Sequence, residues 1–160
     1  MTWQLRRATA ADLDGIMVIE STVFGSDAWS TELMRGELDG AHTYYLVAFP
    51  PGQPEVIEGY AGLLAPMGAG EGDIQTIAVA ESARRRGLGR TLVLQLVNEA
   101  RRRGAGEVFL EVRADNPGAQ SLYDSLGFVQ IAVRPGYYQP DNVDAHVMKL
   151  RVPTTETRPA

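Results

Sequence analysis

The sequence predicts an α/β protein with a mixed central sheet of about seven strands, flanked on both faces by about four helices. The apolar pattern alternates between strand and helix periods in the order strand, two helices, three strands, helix, strand, helix, two strands. Three successive strands indicate an antiparallel meander. A strand–helix–strand unit then follows and indicates a parallel crossover. The chain has 160 residues, 44% of them hydrophobic, which is enough to bury one core.

The first half of the chain is predicted to contain three strands and two helices. The strands fall at residues 3–7, 43–49 and 56–65. Thr9 followed by Asp12 is typical of a helix N-terminus, and Ser30 is expected to cap a second helix near Thr31–Leu38. Residues 24–30 separate the two helices, because Gly25, Ser26 and Asp27 interrupt the helical pattern.

The second half is predicted to contain four strands and two helices, with the strands at residues 73–79, 107–113, 128–134 and 145–152. A long amphipathic helix follows Gly87, and Gly104 ends it. Asn116 and Pro117 are typical of a helix start. Residues 135–142 are predicted to be a loop, residues 1–152 a single domain and residues 153–160 a disordered C-terminal tail.

A basic, glycine-containing turn joins the strand at residues 73–79 to the long helix. Gly87 and Gly89 lack a Cβ, so the backbone can adopt unusual dihedrals and approach a bound group closely. Free N–H groups and the positive end of the helix dipole favour an anion at this helix start. Four arginines add positive charge: Arg84, Arg85, Arg86 and Arg90. The turn therefore predicts a pyrophosphate site.

The exact spacing excludes two other phosphate motifs. The turn lacks the Lys-Ser/Thr of a P-loop and the GxGxxG of a dinucleotide fold. The pattern that remains is R-x-x-G-x-G, formed by Arg84, Gly87 and Gly89. On this motif alone, a solvated basic loop that happens to begin a helix stays open as an alternative.

Composition excludes several classes of function. The absence of cysteine removes disulfides, thiolate metal sites and a cysteine nucleophile. No apolar run is long enough to span a membrane and no signal peptide is recognised, so a cytoplasmic protein without a membrane partner is expected. His42 and His146 are isolated, and no metal is expected.

The net charge of −5 is unevenly distributed along the chain. Residues 84–103 contain seven arginines and one acid, which leaves eight basic and nineteen acidic residues elsewhere, a net charge of −11. A local basic island argues against direct nucleic-acid binding, which needs an extended basic face. The acidic remainder is compatible with a cationic partner, or with a role in solubility alone.

The turn resembles the acyl-coenzyme A signature of the GNAT acetyltransferases, and further segments extend this resemblance to about residue 150. Residues 110–116 read LEVRADN, similar to the family's LEVR-x-x-N, and residues 122–128 read LYDSLGF, similar to LYxxLGF. Gly136, Tyr137 and Tyr138 are similar to a substrate-side tyrosine pair. The combination most resembles the RimI-type subfamily, N-terminal acetyltransferases that modify the alanine terminus of a small-subunit ribosomal protein.

The resemblance implies the GNAT fold, acetyl-coenzyme A as co-substrate and a protein N-terminus as acceptor. It implies catalytic roles for Glu111 and Tyr123. It also implies coenzyme binding by Ile77, Ala78, Val79, Arg84, Arg85, Arg86, Gly87, Leu88, Gly89, Arg90 and Asn116. The expected acceptor-binding residues are Phe24, Trp29, Tyr137 and Tyr138. The family often has a compact F-P-W-S here, whereas four residues separate Phe24 from Trp29, which leaves the details of peptide selection open.

Acetyl transfer requires a neutral amine and a proton for the departing thiolate. Glu111 is the carboxylate best placed to accept the amine proton, and Tyr123 can protonate the thiolate. Without the resemblance, strand alternation would turn Glu111 to solvent and Tyr123 would be a packing residue. Phe24 and Trp29 would also be packing residues on that interpretation.

The sequence therefore predicts transfer of an acetyl group from acetyl-coenzyme A to a protein N-terminus. One alternative is a GNAT enzyme that acts on a lysine side chain or a small-molecule amine. An open groove beside Tyr137 and Tyr138 would favour a peptide, and a closed pocket would favour a metabolite. A further alternative is a non-catalytic, coenzyme A-binding regulatory module.

Overall fold

The computed structural model describes residues 3–153, which form a seven-stranded mixed sheet in the order β1-β2-β3-β4-β5-β7-β6. All neighbouring strands are antiparallel except β4 and β5, which are parallel. The strands are β1 (Gln4–Arg7), β2 (Thr43–Phe49), β3 (Gly59–Leu64), β4 (Glu71–Val79), β5 (Glu107–Arg113), β6 (Val129–Tyr138) and β7 (Val143–Arg151). The predicted mixed α/β sheet is confirmed.

Four α-helices accompany the sheet within the described residues: α1 (Leu13–Phe24), α2 (Thr31–Leu38), α3 (Leu88–Arg102) and α4 (Pro117–Ser125). Side-chain caps explain the starts of α2 and α4, and a third stabilises the short 3-10 turn Ala10–Asp12 that leads into α1. The Thr9 N–H donates to Asp12 Oδ2 at 2.8 Å before α1. Ser30 Oγ accepts an N–H of α2 at 3.1 Å, and Asn116 Oδ1 accepts an N–H of α4 at 3.1 Å. No helix in residues 3–153 is both long and apolar enough to cross a membrane.

The helices pack on both faces of the sheet. Leu88, Leu92, Leu96 and Ala100 of α3 are each at most 1% exposed, as their four-residue spacing predicts. Burial of each such leucine stabilises the fold by roughly 1.5–3 kcal/mol. This core also contains Val108, Leu110, Val112, Tyr123 and Phe128.

The opposite face is covered over only part of its width. The core beneath α1 and α2 includes residues of β2, β3 and β4. None of its described members comes from β5, β6 or β7. Side chains of β5 and β6 that point to this face are therefore accessible, and this is the face on which Glu111 lies.

The two largest errors in the predicted boundaries, at the end of β6 and the start of β3, have structural causes. Residues 135–138 continue β6 instead of starting a loop. β6 is an edge strand, where the N–H that Pro135 lacks is not required for pairing, and Gly136 (φ 59°) accommodates the irregular register. β3 starts at Gly59, because the Val56 N–H is bound in a turn to the Gln53 carbonyl. The predicted tail lies, from residue 154 onward, outside the described residues.

Candidate active site

The parallel strands β4 and β5 diverge after three residue pairs. Glu71, Gly72 and Asp73 pair with residues 107–109, and no pair follows in the described residues. The divergence begins where β4 is bulged, since Thr76 lies opposite Gly62 and Ile74 lies opposite Leu63, so that Gln75 is the extra residue. A bulge bends its strand and increases the local twist. The result is a wedge-shaped opening in the middle of the sheet.

The coenzyme-side residues of β4 line one edge of this opening. Ile77, Ala78 and Val79 pair with β3 through residues 59–61, and the edge toward β5 lies beyond the last β4–β5 pair. Ala78 is buried beneath α1, whereas Ile77 and Val79 pack toward α3. These residues can therefore offer a ligand backbone N–H and C=O groups along an extended edge.

The basic turn leaves β4 at its open end and curls before α3. Arg85 (φ 64°) and Gly87 (φ 84°) both adopt left-handed backbone conformations. This conformation is uncommon for a residue with a side chain, and alternating backbone of this kind gathers N–H groups into an anion-binding concavity. Arg84, Arg85, Arg86 and Arg90 are exposed around it. The turn and the positive end of α3 together can hold a diphosphate.

Several residues predicted to bind the coenzyme also form contacts within the protein, and these contacts limit which of their atoms can reach a ligand. Leu88 is 1% exposed, so only its backbone can reach a ligand. Arg84 Nε donates to the Val79 carbonyl at 3.2 Å. Arg90 donates to Ser125 Oγ at 3.2 Å and so ties the turn to α4. The Asn116 oxygen caps α4, which leaves its amide NH₂ for a ligand.

Glu111 lies on the sheet face away from α3 and α4. Strand alternation buries Val108, Leu110 and Val112 against α3 and α4, and leaves the Glu111 side chain 29% exposed on the other face. Its carboxylate forms an ion pair with Arg134 of β6. A second carboxylate, Asp73, occupies the last position of β4 that pairs with β5. Partial desolvation raises the pKa of Asp73, and the charges of Glu71 and Glu111 raise it further.

Tyr123 of α4 lies on the sheet face opposite to Glu111, in the core that α3 and α4 cover. Its ring packs edge-on against Phe128 at a centroid distance of 5.7 Å, and the residue is 6% exposed. Burial raises the pKa of the Tyr123 hydroxyl above its usual 10, and Tyr138 adds to the shift. The hydroxyl therefore stays protonated at neutral pH, as a proton donor must. Packing and acid catalysis are compatible roles for this residue.

Tyr137 and Tyr138 end β6 as an edge-to-face pair with ring centroids 5.1 Å apart. Tyr137 is 47% exposed and its ring lies against Arg134. Burial is the main cause that raises the pKa of Tyr138 to about 12, and the Glu111 charge contributes. Tyr138 also contributes to the raised pKa of Tyr123, so it is within electrostatic range of both predicted catalytic residues.

Phe24 and Trp29 are half-buried against the core beneath α1 and α2, which fits the packing interpretation. The Trp29 N–H donates to Glu20 Oε2 at 2.9 Å. Glu20 is 1% exposed, and it also accepts a hydrogen bond from the Tyr60 hydroxyl. Desolvation raises the pKa of Glu20, although the hydrogen bonds from Trp29 and Thr76 lower it.

Sequence reasoning did not assign Glu20 a role at the site. The only available signal was its spacing from Leu13 and Ile16 on the apolar side of α1, which is where the structure places it. Among residues 3–153, no group of three His, Cys, Asp or Glu side chains could hold a metal ion.

Comparisons with known proteins agree with this geometry. The profile of the Acetyltransferase (GNAT) family matches residues 13–128. The chain is 35% identical over 144 residues to N-alpha-acetyltransferase RimI of Mycobacterium tuberculosis, with 88% of this chain and 87% of that protein covered. It is 37% identical over 144 residues to the uncharacterized protein ML0378 of Mycobacterium leprae, but spans only 38% of that protein's length.

A solved structure is similar over nearly the whole chain. The crystal structure of the ribosomal-protein-S18-alanine N-acetyltransferase from Escherichia coli superposes with a TM-score of 0.85 and 27% identity. The superposition covers 99% of each chain. The fold therefore matches that of an enzyme named for acetylating the N-terminal alanine of a ribosomal protein.

Proposed function

Because this chain belongs to the GNAT family of acetyltransferases, we propose that it transfers the acetyl group of acetyl-coenzyme A to the N-terminal α-amino group of a protein. The N-terminal alanine of a small-subunit ribosomal protein is the acceptor we propose, supported by the name of the Escherichia coli structure. One observation carries the proposal. The edge of β4 beyond its pairing with β5 runs from the opening beside β5, the strand of Glu111, to the basic turn at residues 84–90.

The residues present suit acetyl-coenzyme A. Backbone N–H groups between Arg85 and the start of α3, with the exposed arginines, would hold the diphosphate. The backbone of residues 77–79 would pair with the amide-bearing arm as an added strand does. When bound, the coenzyme supplies a thioester, whose acyl carbon is open to attack by an amine.

Two side chains handle the protons in our proposal. The amine nitrogen forms a bond to the acyl carbon as the carbon–sulfur bond breaks. Glu111 accepts the amine proton, directly or through water, and Arg134 holds its carboxylate in place. The Tyr123 hydroxyl donates a proton to the departing sulfur, for which its raised pKa keeps it in the right state.

In our proposal the acceptor binds beside the same opening. Tyr137 and Tyr138 would hold the first residues of the peptide from one side, and Phe24 and Trp29 from the other. The exposed ring of Tyr137 and the uncovered face of β5 to β7 support an open groove, which suits a peptide.

The energetics favour a chain terminus over a lysine. Neutralising an α-amine of pKa about 7.7–8 at pH 7 costs roughly 1 kcal/mol, whereas neutralising a lysine of pKa about 10.4 costs nearly 5 kcal/mol. A single partly exposed carboxylate such as Glu111 is adequate to deprotonate an α-amine. Deprotonation of a lysine side chain would require much more from the same group.

A peptide panel tests the proposal. Short peptides that differ in their first residue, the same peptides with a blocked terminus and an internal lysine, and free small amines would be incubated with acetyl-coenzyme A. Thiol release measures the rate and mass spectrometry locates the acetyl group. We expect acetylation of free termini, fastest for alanine, and none of blocked peptides.

Each other result has a defined meaning. Preferential modification of lysine or of small amines would replace the proposed acceptor. Coenzyme A binding without turnover of any amine would indicate a regulatory module.

A further inference from the structure

A single arginine at the end of β5 contacts segments on both sides of the acceptor groove. Arg113 pairs with Asp27, which lies between α1 and α2. Its guanidinium also contacts Asp115 at 3.0 Å and Asp141, between β6 and β7, at 3.2 Å. The Tyr138 ring lies 5.2 Å from its guanidinium carbon.

These contacts connect parts of the chain that are distant in sequence. Arg113 and Asp27 are 86 residues apart, and Arg113 and Asp141 are 28 apart. Asp27 lies two residues before Trp29, and Asp141 lies three residues after Tyr138. The guanidinium therefore fixes both walls of the groove relative to β5, the strand that carries Glu111.

The contact to Asp27 differs from an ordinary surface ion pair. The Arg113 and Asp27 side chains are only 22% and 13% exposed, whereas Asp115 and Asp141 are more than half exposed. Exposed pairs contribute little, and less exposed pairs within a network contribute more. The planar guanidinium offers five N–H donors in a fixed fork, which allows one side chain to serve three carboxylates at once.

We propose that Arg113 is a positioning residue for the acceptor peptide, which sets the separation of the α1–α2 wall from the tyrosine wall. This inference rests on the proposed function and deepens it. Arg113 does not contact the reacting atoms in this role. It acts through Asp27 and Tyr138, so its loss should weaken use of the peptide and leave coenzyme binding intact.

The test compares two variants of the arginine, Arg113→Gln and Arg113→Lys, with two variants of its partners. Asp27→Asn and Asp141→Asn each remove one contact of the guanidinium. Arg6→Gln is the matched control, because Arg6 also pairs with a carboxylate, Asp12, at 32% and 7% exposure but outside the groove. Steady-state kinetics would give KM for the best peptide and for acetyl-coenzyme A, with coenzyme A affinity and melting temperature measured beside them.

We expect Arg113→Gln to raise the peptide KM about tenfold or more, since small displacements of positioning groups have large effects. KM for acetyl-coenzyme A should stay unchanged. Arg113→Lys should rescue only part of the loss, because an ammonium cannot replace the fork. Asp27→Asn should have a smaller effect, and should add little in the Arg113→Gln background, because both changes remove the same pair.

Other outcomes overturn the inference. If folded Arg113→Gln keeps the parent peptide KM, or if both KM values rise together as the melting temperature falls, Arg113 is only structural. If Arg113→Gln does not fold, unchanged peptide KM values in both aspartate variants decide against it. If the parent acetylates another amine instead of peptides, the proposed function fails first, and KM for that amine then tests Arg113 separately.

Discussion

The two sides of the β4–β5 opening are built by different means. The proposed coenzyme side consists of contiguous backbone, the basic turn at residues 84–90 and the start of α3, with Arg85 and Gly87 in left-handed conformations. The proposed acceptor side is assembled from segments far apart in sequence, held by the Arg113–Asp27 pair and by Glu20 beneath Trp29. If the proposed function holds, local backbone binds the thioester donor, whereas the acceptor site depends on long-range side-chain contacts.

The largest expected effect breaks the coenzyme side alone. We predict that Arg85→Glu with Gly89→Asp weakens coenzyme A binding by roughly 100-fold or more. Arg85→Glu turns a charge-assisted contact of about 1.5–3 kcal/mol into repulsion, and Gly89→Asp adds a second negative charge beside the diphosphate. The fold should survive, since a Cβ at Gly89 would lie 3.4 Å from Leu122, an ordinary contact. Calorimetry measures the affinity.

Arg35→Glu with Gly36→Asp on α2 makes the same changes in charge and residue type on the acceptor side, where a Cβ at Gly36 meets nothing within 4 Å. This control should bind coenzyme A as the parent does. Parent affinity in the folded Arg85→Glu, Gly89→Asp variant would end the assignment of the turn as a diphosphate site.

The next effect concerns Tyr123, between the two sides. Tyr123→Phe should lower kcat about 100-fold, the contribution typical of a general acid, with coenzyme affinity unchanged. Burial raises the Tyr123 pKa above 10, so the parent hydroxyl remains protonated through mildly alkaline pH and the defect should persist there. Rates measured from pH 6 to 10 check this, with Tyr44→Phe on β2 as the control. Equal turnover in parent and Tyr123→Phe enzymes would remove the acid role.

A smaller and pH-dependent effect is expected for Glu111→Gln. At pH 7 we predict a loss of about tenfold in kcat, and convergence with the parent once pH exceeds the amine pKa of about 8, because the amine is then neutral without a base. Glu107→Gln is a close control, since Glu107 lies on the same face of β5 and pairs with Lys149 of β7. A pH-independent defect with weaker coenzyme binding would make Glu111 structural.

The smallest expected effect concerns Glu20, on the proposed acceptor side, and is measured as a change in the free energy of unfolding. The pKa of Glu20 is raised from its usual 4.5, so the folded protein binds this proton more tightly than the unfolded chain. Its contribution is fully present below pH 4.5 and is lost as pH rises through the raised value. Glu20→Gln cannot titrate and so does not show this loss. As pH rises, the free energy of unfolding of the parent should therefore fall relative to that of the variant, by about 1.4 kcal/mol per unit of difference between the folded and unfolded pKa.

Urea unfolding of both proteins from pH 4 to 7 measures this difference, and the other shifted carboxylates cancel because both proteins contain them. Parallel stability curves would show that Glu20 does not titrate differently in the fold. Coenzyme A affinity should be the same in both proteins, as expected if Glu20 supports only the acceptor side.

Local signals in the sequence were sufficient for much of the fold and for the basic turn before α3. The observed bounds of α2, β2 and β5 match those predicted, since caps and apolar periods act within a few residues. The basic turn was recognised for the same reason, because glycines, arginines and a helix start lie within seven residues. The family resemblance, and not strand alternation, selected Glu111 as a candidate base, since alternation alone would make it a solvent-facing residue.

Only the tertiary structure decided the opening and the acceptor wall. The bulge at Gln75 exists only in register with β3, and it is this bulge that separates β4 from β5. β6 continues past Pro135 because it is an edge strand, which depends on the strand order. Asp27 and Arg113 meet across 86 residues, and no periodicity or cap encodes a contact of that kind. Short-range patterns determine helices, strands and turns, whereas ion pairs between distant segments follow only from how those elements pack.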